Sequence, residues 1–269
     1  MITSSILLVF TVVSLIFVAI AVDLPKDEDE YRVYFNLAEK KCVEYSKLRI
    51  EDAPIALAPA LRSGKRHLKV QCDILGMPLI VGGQRALYGE FPHQTELGYW
   101  EAGAPMEDVK WVCGGTLISE RFVVTAAHCI VTRMGEPSFI RFGLITKLSY
   151  SVSDNIYKIA RCFVHPNYTA EDMNDYDDIA LVQIEDQVEF SETLRPACLN
   201  VNHDVKYKTA LASGFGKLKY FDKRESLRLM KVVLDIFDGK TCLNLDKSYI
   251  SSQLCATIME GGKDTCQVR

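Results

Sequence analysis

Two residue types in this chain stand where they could move a proton. His128 closes the run Val124-Thr125-Ala126-Ala127-His128-Cys129. Phe122, Val123 and Val124 are strand formers, and the two alanines favour a helical turn and add little bulk. The histidine therefore sits where a strand gives way to a turn, a place from which it can serve as a general base. An ordinary rim histidine is the alternative on residue type alone. The second candidate is the pair Asp177-Asp178, followed by Ile179-Ala180-Leu181-Val182. That apolar run reads as a buried strand, so the carboxylates stand at its mouth, where one could accept an imidazole N–H. Alternation along a strand lets only one of the two point inward; a solvated turn is the alternative for both.

Metal chemistry has no support in the spacing. The chain holds no His-x-x-x-His or Cys-x-x-Cys pair, the usual ligand patterns. A net charge of −4 gives no basis for nucleic-acid binding. Nine cysteines beside an apolar leader point instead to an oxidising compartment and a disulfide framework.

The elements that must position these residues read as short strands. From Gln94 to about Gln187 the candidates are Trp111–Ile118, Arg121–Thr125, Phe139–Phe142, Ile156–Val164 and Ile179–Ile184, split by turns, as in an all-β barrel. Before them, Ile6 to Val22 is almost wholly apolar and ends in Ala19-Ile20-Ala21, a small-x-small cleavage pattern. Residues 1–21 read as a signal peptide, although the leader lacks Lys and Arg; an uncleaved signal anchor is the alternative. Residues 22–79 form a polar extension, with charge at Lys26 to Glu30 and around Lys65-Arg66.

Six pieces, in order, carry a resemblance: Ile80-Val81-Gly82-Gly83, Cys113-Gly114-Gly115-Thr116-Leu117, Thr125-Ala126-Ala127-His128-Cys129, Asp178-Ile179-Ala180-Leu181, Gly214-Phe215-Gly216 and Asp264-Thr265-Cys266-Gln267. Over residues 80–267 the chain resembles the trypsin-like serine proteases. Lys41-Cys42-Val43-Glu44-Tyr45 and Pro78-Leu79 are similar to arthropod clip-domain proteases of the snake type. A clip domain needs six cysteines, and the extension holds only Cys42 and Cys72.

The resemblance implies an all-β, two-barrel fold over residues 80–269. It selects Asp178 over Asp177 as the acid that orients the base His128. It implies a zymogen cut between Leu79 and Ile80, the new Ile80 amine pairing with a buried carboxylate. Leu79 before the scissile bond implies an upstream activating protease that prefers large apolar residues. It places bridges at Cys113–Cys129, Cys72–Cys198 and Cys242–Cys255; elimination leaves Cys42 with Cys162, while Cys266 has its family partner beyond residue 269. Asp264 matches the carboxylate below a pocket for Lys or Arg. Protein substrates and serpin-type inhibitors are the implied partners, with no cofactor and, after leader cleavage, no membrane.

The sequence departs from the family after Gln267. Where the family continues Gly-Asp-Ser-Gly-Gly-Pro, this chain has Val268-Arg269. The nucleophilic serine is expected one position past Arg269, so this chain is expected to be inactive, with the second barrel incomplete. Weak folding follows, because an unclosed barrel exposes strand edges. An inactive homologue acting as a binding or regulatory module is the alternative to a secreted endopeptidase.

Asn167-Tyr168-Thr169 is a glycosylation sequon. His165 and His203 carry no motif and read as surface residues.

Overall fold

A computed structural model describes residues 28–51, 84–147, 155–171, 176–201, 207–216 and 226–257. In chain order these give helix α1 (Glu28–Glu51), then β1 (Gln84–Arg85), β2 (Gln94–Tyr99), β3 (Lys110–Leu117), β4 (Phe122–Thr125), β5 (Phe139–Phe142), β6 (Ile156–Val164), β7 (Ala180–Ile184), β8 (Thr209–Gly214) and β9 (Met230–Phe237). The short helix α2 (Gly239–Leu245) and β10 (Cys255–Thr257) follow. The expected strands are all present; two keep their bounds and three differ by a residue or two.

Strands β2-β3-β4-β7-β6-β5 close into a barrel. Its interior is filled by Leu97, Leu117, Val123, Ile140, Phe142, Val182 and Ile184, all fully buried. Alternation sends every second side chain inward, yet β7 opens with the unbroken apolar run Ala180-Leu181-Val182 before Gln183. Its other face is covered too: Leu181 packs with Val124 and Ile179 in a second cluster outside the barrel. Gly115 is required where β3 meets β4, because a Cβ there would lie 2.7 Å from Val123 Cγ1 and 2.8 Å from Thr95 Oγ1.

Around the central β9 lies a second antiparallel sheet. Among the described residues β8 pairs along one side of β9, while β1 and β10 share the other side end to end. Ala212, Met230, Val232, Leu234 and Ala256 form its core. The two units meet through Leu144, Phe215 and Leu229, with Ala86 and Phe91 packed on them. Backbone bonds cross the same seam, from Lys147 N–H to Leu227 O and from Leu229 N–H to Ile145 O, both 2.9 Å.

Beside that seam a charged cluster is buried on β2 and β5. The Arg141 guanidinium donates to Glu96 Oε2 through Nε at 3.0 Å and Nη2 at 2.6 Å, and it lies 4.3 Å from the Trp111 ring centroid. Lys147 Nζ approaches the other Glu96 oxygen at 3.6 Å. Glu96 is only 2% exposed, so its charge is tolerable there only because cations face it.

Within the polar extension, Glu28–Glu51 forms a helix that was not expected from the sequence. Residues 28–51 contain neither Gly nor Pro and begin with three acidic residues, which suits a helix and the N-terminal end of its dipole. Tyr45 fixes α1 to the barrel: it is buried, stacks edge-on against Phe190 at 5.5 Å, and donates to Glu120 Oε2 at 3.0 Å. Lys41 reaches the same carboxylate at 3.4 Å. No helix among the described residues is long and apolar enough to cross a membrane.

The disulfides correct two expectations. Cys113–Cys129 and Cys242–Cys255 form as expected. Cys198, however, bonds Cys42, not Cys72, because the docked helix brings Cys42 to a Cα separation of 5.0 Å. Cys72 lies outside the described residues. Cys162 is a free thiol and not a partner of Cys42. It packs from β6 against the barrel core, and burial pushes its thiol up to about 12, far from a reactive thiolate at neutral pH.

Candidate active site

The register of the barrel brings the two chemical residues together. Strand β4 pairs antiparallel with β7, Thr125 opposite Ala180. The chain leaving β4 and the chain entering β7 therefore lie at the same end of the barrel. His128 is reached by the first and Asp178 by the second.

Each is then fixed locally. Ala126 is extended and Ala127–Cys129 makes a single 3₁₀ turn. Ala127 is fully buried, so a larger side chain would not fit. Cys129 is bridged to Cys113, and its carbonyl accepts the Tyr99 hydroxyl at 2.6 Å. The Thr125 hydroxyl donates to Gly114 O at 2.8 Å. The turn that carries His128 is thus held from β2 and β3 as well as from β4.

Asp178 holds His128 twice. Its Oδ1 accepts the His128 backbone N–H at 2.8 Å, and its Oδ2 lies 2.7 Å from His128 Nδ1. A carboxylate at Nδ1 assigns the ring proton to that nitrogen, which makes Nε2 the ring's acceptor. The Asp178 side chain is 12% exposed and the His128 side chain 36%. The acid is sheltered and the base is reachable. Such a pair can take a proton from a nearby hydroxyl and return it to a leaving group, the carboxylate stabilising the imidazolium in between.

Asp177 points elsewhere. Its Oδ1 is 3.8 Å from His165 Nδ1. Sequence alternation separates the two aspartates correctly, but the cause is different: both precede β7, and Asp177 has a positive φ of 56° that turns the chain between them. His165 corrects its surface reading, being 5% exposed. Its place is set by pairing: its N–H donates to Ile179 O at 3.0 Å, one step beyond Val164 opposite Ala180. Asn167 is exposed in the following turn, accessible as a sequon requires.

Cys113, His128 and Cys129 bring potential ligand atoms within 4.8 Å of one another. The two sulfurs are joined to each other and so offer no thiolate to a metal. Leu79, Ile80, Asp264, Cys266 and His203 lie outside the described residues, as do the leader and most of the segment 22–79. Tyr99, Thr125 and His165 support the site without having been foreseen. In the sequence Thr125 belongs to the histidine motif without a role of its own, and no local pattern marks Tyr99 or His165.

A six-stranded barrel with a histidine–aspartate couple at one end, beside a second antiparallel sheet, defines a chymotrypsin-like fold. The trypsin family model matches residues 80–268, and the chain belongs to that family. It is 33% identical over 251 residues to Serine protease snk of Drosophila melanogaster, covering 89% of this chain and 54% of that protein. It is 29% identical over 231 residues to Serine protease Hayan of the same fly, covering 81% and 34%. CLIP domain-containing serine protease B4 of Anopheles gambiae is 28% identical over 255 residues, covering 86% and 67%. The chain thus spans about half the length of the first relative and about a third of the second.

Proposed function

We propose that this protein is a secreted, trypsin-like serine endopeptidase made as a zymogen and working in a proteolytic cascade. The observation that carries the reading is the Asp178 carboxylate gripping both the amide and the ring of His128. In this reading His128 Nε2 accepts the proton of the serine hydroxyl that the family pattern places one position past Arg269, absent from the 269 residues of this sequence, as that oxygen attacks a peptide carbonyl. The same nitrogen then returns the proton to the departing amine, and water releases the acyl group by the reverse sequence. Asp264 selects Lys or Arg before the cleaved bond. Activation is a cut between Leu79 and Ile80 by an upstream protease that accepts large apolar residues. Serpin-type proteins are its inhibitors, and Asn167 carries a glycan.

A second reading rests on Val268-Arg269, which stand where the family has Gly-Asp. Arg269 would repel the Ile80 amine, and Val268 would displace an oxyanion-hole glycine. On this reading the protein is a non-catalytic binding or regulatory module. A fluorophosphonate probe applied to the processed native protein separates the two. Labelling lost on His128→Ala supports the endopeptidase. Absence of labelling from protein whose N-terminus is Ile80 supports the module.

A further inference from the structure

We propose that His165 is a positioning residue for the His128–Asp178 couple, bonding the chain just after Asp178 and packing its ring beside the residue just before it. Among the described residues Asp177 is the single non-glycine with a positive φ, a conformation Asp tolerates and β-branched residues resist. Its carbonyl accepts the Ile179 N–H at 2.7 Å, so Asp178 is the central residue of a three-residue turn. The downstream arm of that turn is pinned by the His165 backbone, whose N–H donates to Ile179 O at 3.0 Å. The upstream arm is faced by the His165 ring, 3.8 Å from the Asp177 carboxylate.

The ring itself is held. Its Nδ1 accepts the Asn167 N–H at 3.3 Å, and the side chain is 4% exposed. With Nδ1 taken by Asn167, the ring meets the Asp177 carboxylate as a close polar neighbour beyond hydrogen-bond length. A polar ring thus occupies a place that packing alone would fill with an apolar residue. One residue earlier, Tyr176 donates to Ser248 O at 2.5 Å, in the second unit. Tyr176, Asp177 and Asp178 thus face three different segments, and the turn between the last two decides which oxygens reach His128.

This inference rests on reading His128 as the base, but its test needs no catalysis. The readout is the exchange-protected Nδ1 proton of His128, followed by NMR in the full chain with ¹⁵N-labelled histidine and assigned by its loss in Asp178→Asn. The expected results are loss of that resonance in His165→Ala and its return in His165→Asn, which restores a polar group near the Nδ1 position. A resonance as protected in His165→Ala as in the unmodified chain overturns the proposal, as does its absence from the unmodified chain. Should His165→Ala fail to fold, Asp177 offers a second arm at a site 33% exposed. Asp177→Asn, which tolerates the same φ and keeps a polar group facing the ring, is expected to keep the resonance, and Asp177→Gly, which tolerates that φ but leaves nothing for the ring to face, is expected to lose it; equal protection in both overturns the proposal. Failure of fluorophosphonate labelling with this pattern intact would remove the endopeptidase reading alone.

Discussion

Asp178 uses one oxygen for the amide of His128 and the other for its ring. Asp178→Asn keeps an acceptor for one of these and offers N–H groups to the other, favouring the wrong tautomer. Turnover in steady-state kinetics of the activated enzyme should fall by about 10⁴, the loss characteristic of such triads. A second prediction concerns His93, whose burial lowers its pKa to about 4 from 6.5. The unfolded chain takes up this proton first as pH falls, so stability declines between about pH 6.5 and 4. The contribution is up to about 3 kcal/mol; denaturant titrations across that range should show it, and His93→Gln should flatten it. Arg141→Met strands the Glu96 carboxylate and should cost about 3–5 kcal/mol in the same assay, whereas adding Glu96→Leu should recover much of the loss. The base and its acid were legible because each sits in a short contiguous motif. His165 was not, because its burial comes from pairing opposite Ile179, a contact that no local pattern announces.

At the scale of elements, the strands were legible wherever alternation or an unbroken apolar run marked them. Helix α1 was not. Its apolar residues are spread around the axis, with Val33, Leu37 and Val43 exposed while Tyr45 is buried, so no single stripe signals a packed face. What holds it is a few contacts of long sequence separation: Tyr45 on Phe190, Lys41 and Tyr45 on Glu120, and the bridge to Cys198. The segment Lys41 to Tyr45, noticed in the sequence only as a likeness to relatives, is this docking surface. The Cys42–Cys198 link should therefore keep α1 on the barrel after a cut at Leu79–Ile80. On denaturing gels of cleaved protein, the α1 fragment should separate only under reduction, and in Cys42→Ser it should separate without it. The bridge spans 156 positions, so in the chain-entropy model its removal from the uncut protein costs about 5 kcal/mol.

For the molecule as a whole, the two units differ in closure. The first is a ring of six strands; the second, in its described part, is a sheet built on β9. Native-state hydrogen exchange should find the slowest amides on β2, β4 and β7, and faster exchange on β10 and β1, which have partners on one side only. Protection on β10 equal to that on β7 would contradict this. The two-unit plan was legible from the order of six short motifs. The seam was not, since Leu144, Phe215 and Leu229 are far apart in the chain and meet only in three dimensions. Closure also decides where another polypeptide could attach by backbone hydrogen bonding. A ring without ends has no unpaired ladder to extend, whereas an open sheet invites an added strand. Among the described residues β1, β8 and β10 each keep one flank without a partner strand, so growth of that kind would begin on this sheet and not on the ring that carries His128.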